Sequence, residues 1–142
     1  MKLSTRGRYG VRAVFDMAYY GKGRPAQIRT IAERQEIPVR YLEQILNRLR
    51  RAGIVRTLRG PKGGYFLGRN PSQITVADVV RATDGPLHLV KCKETGRKDV
   101  QCHRASKCVV RQVWEEAGRK LNDYLESVTI EKLCSDAQQM QL

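Results

Sequence analysis

Apolar side chains recur at helical spacing through IRTIAERQEIPVRYLEQILNRLRR, residues 28–51, and the remaining elements arrange themselves around that stretch. Leu42, Ile45, Leu46 and Leu49 fall at i, i+3, i+4 and i+7, so one helical face is apolar and must turn inward. Pro38 presets φ and lacks only an N–H that the first helical turn would leave unpaired, so a helix starts there easily. Upstream, Ser4 is a plausible N-cap. After it, Val11, Val14, Phe15 and Ala18 mark a second apolar face, widened by Ala13, Met17 and Tyr20. A stripe this wide predicts a helix covered on two sides. Gly21, Gly23 and Pro25 end it, and a shorter helix from about Ile28 to Gln35 follows, with Ile28, Ile31 and Ala32 facing the core. The pair reads as a helix-turn-helix.

Ala52 and Gly53 stop the second helix of that pair. IVRTLRG and YFLGR follow, separated by PKGG, which predicts a β-hairpin. Asn70 and Pro71 close it. Thr75, with Asp78 three residues on, has the form of a capping box opening a helix through about Asp84, with Val76, Val79 and Val80 toward the core. From His88 to Lys107 the periodicity vanishes, and a loop is expected. Val110, Val113, Trp114, Ala117, Leu121, Tyr124, Leu125 and Val128 then form a stripe at three- and four-residue steps. A helix that long beyond a small head is expected to pair with its twin. Thr129 caps a last short helix reaching about Cys134, and the final residues are expected to fray. The expected class is mostly α with a small β-hairpin wing: a head over residues 1–85, a cysteine-rich loop over 86–108, and a dimerisation helix with a short C-terminal helix over 109–142.

Charge changes the picture from architecture to partner. Of the net charge of +13, residues 1–70 carry +12 and residues 71–142 carry +1. The excess lies on the helix-turn-helix half, the footprint of a nucleic-acid binder that displaces counterions from phosphates. The outward face of the second helix bears Arg40, Glu43, Gln44, Asn47, Arg48 and Arg51. These residue types match base edges and phosphates. An isolated charged face is more often only solvated; the hairpin directly after it favours a winged helix, with Arg59 and Lys62 at the tip able to enter a minor groove or grip the backbone. Gly60, Gly63 and Gly64 read as turn chemistry, and no phosphate-loop pattern leads into a helix. There is no run of 18 apolar residues, and charges break the N-terminal MKLSTRGRYGVRAVF, so a cytoplasmic protein without a membrane partner is expected. In that compartment Cys92, Cys102, Cys108 and Cys134 are metal ligands or redox sensors sooner than disulfide partners. No nucleophile–base pair, paired acids or cofactor fingerprint suggests an enzyme.

MKLSTRGRYGVRAVFDMA, IAERQEIPVRYLEQILNRLRRAGIV, RGPKGGYFLGR and a cysteine loop before a Trp-bearing helix together resemble the IscR/NsrR branch of the Rrf-two transcription regulators. The resemblance covers nearly the whole chain. It implies a homodimer on a roughly palindromic double-stranded DNA operator, with Arg40, Glu43 and Gln44 in the major groove, Arg59 in the minor groove, and Tyr41 with the Ser4 and Tyr9 region supporting the backbone. It also implies an iron-sulfur cluster, 2Fe-2S or 4Fe-4S, on Cys92, Cys102 and Cys108. Two departures stand out. The interval between Cys92 and Cys102 is longer than usual in the family. Arg111 stands where the IscR type has His, and Arg8 where the NsrR type has an acidic ligand. His103 is a substitute fourth ligand on paper, though a lone His in a basic loop is more often solvated, and Cys134 is more simply a small buried hydrophobe. Two alternatives remain open: a cluster-free regulator whose thiols, flanked by Lys91, Lys93, Arg104 and Lys107, sense oxidants or which a partner switches, and a structural zinc site, which would want four protein ligands.

Overall fold

The computed structural model describes residues 3–90, 102, 104 and 106–142. Among them the order is α1 (Thr5–Tyr19), α2 (Ile28–Gln35), α3 (Val39–Arg51), β1 (Val55–Leu58), β2 (Gly64–Leu67), a 3₁₀ turn (Pro71–Gln73), α4 (Val76–Asp84), α5 (Arg111–Ser127) and α6 (Ile130–Gln139). The expected mostly α class with a hairpin wing is what forms.

Local chemistry explains most boundaries. Ser4 caps α1, its side-chain oxygen accepting from the Gly7 N–H at 3.0 Å. Glu36 ends α2 in the left-handed conformation, φ 53°, and its N–H reaches back to the Ala32 and Glu33 carbonyls. That reversal turns the chain into α3 within a few residues. Pro38 stands at the cap of α3, with its carbonyl accepting from the Leu42 N–H at 2.9 Å. The expected capping box is present: the Asp78 N–H donates to Thr75 Oγ1 at 3.1 Å, and the Thr75 N–H donates to Asp78 Oδ2 at 3.0 Å. Burial pushes the Asp78 carboxyl up, but the Thr75 bonds and the Arg81 guanidinium outweigh it and hold the group below its usual range.

Leu42, Ile45, Leu46 and Leu49 of α3 are fully buried against Ala13, Val14 and Met17 of α1, Ile31 and Ala32 of α2, and Ile54, Val55, Ile74 and Val79. α1 meets α2, α3, α4, α6 and β2, which accounts for its wide apolar stripe. In α4, Ala77 is buried and Val76 only half so; the core face is shifted by one position at its first turn.

The antiparallel hairpin pairs Val55 with Leu67 and Leu58 with Gly64. A third short segment joins it. Ala26, between α1 and α2, donates to the Tyr65 carbonyl at 2.9 Å and accepts from the Tyr65 N–H at 2.8 Å, so β2 has a partner on both sides. The wing is thus tied, near its turn, to the segment that leads into α2.

The C-terminal end departs from expectation. α6 runs to Gln139, past Cys134, because Ile130 and Ala137 are buried. Cys134 and Leu133 pack beside the core, and the Tyr19 hydroxyl donates to the Leu142 carbonyl. The tail therefore has partners where fraying was expected. The joint between α5 and α6 is pinned as well: the Val76 N–H donates to the Val128 carbonyl and the Ile130 N–H to the Ile74 carbonyl, each at 2.9 Å. No helix among the described residues is long and apolar enough to cross a membrane.

Candidate nucleic-acid interface and cysteine segment

Burying the leucine face of α3 forces its other face outward. Arg40, Glu43 and Gln44 are exposed there. Arg59 and Lys62 are exposed at the far end of the hairpin. None of these five side chains has a hydrogen-bond or ion-pair partner among the described residues. Among the described residues the two wing cations have no counter-ion, so their charge is open to a polyanionic partner.

Tyr41 and Tyr9 are half-buried and meet edge to face, ring centroids 5.8 Å apart. The Arg12 guanidinium lies 5.2 Å from the Tyr9 centroid, and Arg12 also donates to the Gln35 carbonyl. The two tyrosines therefore brace α1 against α3. Ser4 has a second bond beyond its cap: its hydroxyl donates to Asp84 Oδ1. Arg48, grouped by its spacing with the outward face, instead turns toward α4, where Nη1 lies 3.4 Å from the Thr83 carbonyl.

Periodicity did not reveal Asp16, which is fully buried on α1. Arg34 of α2 grips it with two bonds, 2.9 and 2.7 Å, and Gln35 Nε2 adds a third at 2.9 Å. The Asp16 bonds raise the Arg34 pKa further above its already high value, and the guanidinium stacks 4.7 Å from the Tyr20 centroid. This pair fixes the angle between α1 and α2 and so the entry to the helix-turn-helix. An acidic residue amid an apolar stripe in a basic half was the available signal.

In the cysteine segment, Cys92 and His103 lie outside the described residues. Cys102 is exposed, and Cys108 is half-buried just ahead of α5. Both sit on irregular backbone, not within a helix. The donor chemistry, soft thiols on accessible irregular backbone, fits an iron-sulfur cluster. Among the described residues alone, no three His, Cys, Asp or Glu side chains come together as a metal site. Cys134 is a different kind of thiol. It lines a groove with Tyr19, Tyr20 and Gln138, and burial, helped by the Glu131 charge, pushes its pKa up, which leaves it poor in thiolate. Trp114, the sole tryptophan, faces a groove with His88, Leu89 and Glu115 where the chain enters the cysteine segment.

A helix-turn-helix carrying a hairpin wing, with a long helix appended, defines a winged-helix regulator. Residues 3–136 match Rrf2, the iron-dependent transcriptional regulators, and the chain belongs to that family. It is 34% identical over 142 residues to the HTH-type transcriptional regulator IscR of Vibrio parahaemolyticus, covering 100% of this chain and 82% of that protein. Among solved structures, T. potens IscR is similar at TM-score 0.79 and 37% identity, over 100% of this chain and 92% of the other. CymR, the global cysteine regulator of B. subtilis, is similar at TM-score 0.76 and 34% identity, over 95% and 97%.

Proposed function

We propose that this transcriptional regulator acts as a homodimer on a double-stranded DNA operator and that an iron-sulfur cluster on Cys92, Cys102 and Cys108 sets its operator affinity. The observation that carries the DNA half is the exposed set Arg40, Glu43 and Gln44 on α3 together with the exposed wing cations Arg59 and Lys62, none with a partner among the described residues. α3 enters the major groove, and the wing reaches the adjacent minor groove or backbone. Ser4, Tyr9 and Tyr41 hold α1 and α3 in register behind that contact. Dimerisation is supported by α5, which has no buried residue and leaves Val113, Trp114 and Tyr124 exposed, an apolar surface that a twin helix would cover. The division into a head over 1–85, a ligand segment over 86–108 and a dimer arm over 109–142 follows from these roles.

For the cluster, the support is the likeness to IscR proteins and the thiol donor set. A bound cluster supplies a redox-sensitive, oxidant-labile centre. The chain's own part is to supply three thiols, the last of them, Cys108, just ahead of α5. A second reading uses the thiols without a cluster: Cys102 is exposed, with Arg104 and Lys107 close by in sequence, and CymR is similarly close in fold.

An ultraviolet-visible spectrum of protein purified without oxygen, with iron, sulfide and zinc assayed on the same sample, separates these readings. Broad visible absorption with matched iron and sulfide, lost in Cys102→Ala, is the expected result. Colourless, metal-free protein after attempted reconstitution favours thiol chemistry, and stoichiometric zinc favours a structural site. On the DNA face, Arg59→Ala is expected to cost about 1–3 kcal/mol of binding, most at narrow A·T minor-groove steps. Glu43→Ala is expected to relax base preference, measured on duplexes selected from a random pool. An equal Arg59→Ala loss on every sequence would make that side chain a plain phosphate contact.

A further inference from the structure

The last turn of α4 is where the chain leaves the head for the cysteine segment, and that turn is bonded to both the start of α1 and to α3. Asp84 Oδ1 accepts from the Ser4 hydroxyl and from Arg6 Nε, the latter at 3.2 Å. Its side chain is only 14% exposed. The approach to α1 is close: a Cβ added at Gly7 would lie 2.6 Å from Asp84 Oδ2, and one at Gly10 would lie 2.8 Å from the Thr83 methyl. A carboxylate at this place also complements the positive end of the α1 dipole. One residue earlier, the Thr83 carbonyl accepts from Arg48 of α3 at 3.4 Å. Thr83 itself is buried, its hydroxyl bonded to the Val79 and Val80 carbonyls of the same helix. From Ser4, α1 runs to Tyr9, which meets Tyr41 on α3. Two routes, one a polar contact and the other ending in an aromatic pair, therefore join one helical turn to α3, and Gly85 and Pro86 are the next residues toward Cys92.

We propose that Asp84 is a positioning residue through which the state of the cysteine segment is passed to α1 and α3, by its bonds to Ser4 and Arg6 and by the Thr83–Arg48 contact of the same turn. The proposal rests on the cluster-regulated reading above and names the residue that would couple it to DNA. The C-terminal turn of α4 leads through Gly85 and Pro86 toward that segment. A small displacement there either keeps or breaks the charge-assisted bonds to Ser4 and Arg6, and α1 then settles differently against α3. Cys92, Cys102 and Cys108 hold the ligand; Asp84 touches neither ligand nor DNA.

The test uses the full chain as wild type, as Asp84→Ala, and as Asp84→Asn, which keeps the shape against Gly7 and weakens the charge-assisted bonds. Each is assayed for visible absorbance, thermal midpoint and affinity for one selected operator duplex, cluster-loaded and cluster-free. Wild type is expected to show a loaded-to-free affinity ratio of about tenfold, within the usual range of coupling between sites. Both variants are expected to keep the absorbance and bring that ratio to within about twofold of one. A merely structural Asp84 would lower the midpoint and weaken both states alike. An unchanged ratio in the variants thus overturns the relay while leaving the proposed function standing. Wild type that shows no cluster sinks the cluster reading, and the relay is then decided in a Cys134→Ala background by hydrogen exchange of residues 5–10 before and after maleimide labels the segment's thiols. A change in that exchange supports the relay; none overturns it.

Discussion

Leu46→Ala is expected to destabilise the protein by about 2–5 kcal/mol, the range for deleting a large side chain from a well-packed core. Leu46 is fully buried, as are Leu42, Ile45 and Leu49 on the same face of α3. The neighbours come from α1, α2, α4 and the strand after α3, so no single element can move to fill the void. Against a typical domain stability of about 5–15 kcal/mol, that loss is a large fraction of the whole. Glu43→Ala, three residues earlier on the exposed face, is expected to shift stability by no more than about 0.5 kcal/mol. Urea unfolding followed by circular dichroism at one fixed protein concentration checks both, since self-association would make apparent stability depend on concentration. A Leu46→Ala loss below about 1 kcal/mol would mean the α3 face is less tightly held than its burial implies.

The contrast between those two positions is also why so much of the head was readable from residue order. The inward face of α3 has a period the chain must satisfy, and Ser4, Thr75 with Asp78, and Thr129 are local caps whose partners lie three residues away. Long-range polar partners carry no such period. Asp16 finds Arg34 across 18 residues and Ser4 finds Asp84 across 80, so neither pairing was legible. Arg48 looked like a member of the outward face because one turn of helix leaves its direction ambiguous; only the position of Thr83 decides it. Ala26 joins the sheet through its backbone alone, which a side-chain pattern cannot signal. α6 outruns its expected end because Ala137 is a weak periodic mark in sequence yet buried in the fold. The exposure of Arg40, Glu43, Gln44, Arg59 and Lys62 was legible for the opposite reason. They are what remains on a basic surface once the core is assigned.

Gly64→Ala is expected to cost about 2–4 kcal/mol and to lower operator affinity at least about tenfold, through lost backbone hydrogen bonds and strain. Gly64 opens β2 at φ +149°, and a Cβ built there would lie 2.3 Å from the Ala26 carbonyl oxygen and 2.6 Å from its carbon. Both contacts are with backbone, so no side chain can swing aside. The strand must instead move off Ala26, breaking one or both of the Ala26–Tyr65 bonds that tie the wing to the helix-turn-helix. Arg59 and Lys62 would then lose their placement relative to Arg40, Glu43 and Gln44. Gly60→Ala is the control, because Gly60 also has a positive φ, +112°, but a Cβ there meets nothing within 4 Å. It should strain only the tip, by about 1 kcal/mol. Thermal melts and binding to the same selected duplex, run on both variants, distinguish a wing that merely folds less well from one that is misplaced. If Gly64→Ala melts lower yet binds DNA as wild type does, the wing takes no part in the contact, and α3 alone must account for operator affinity.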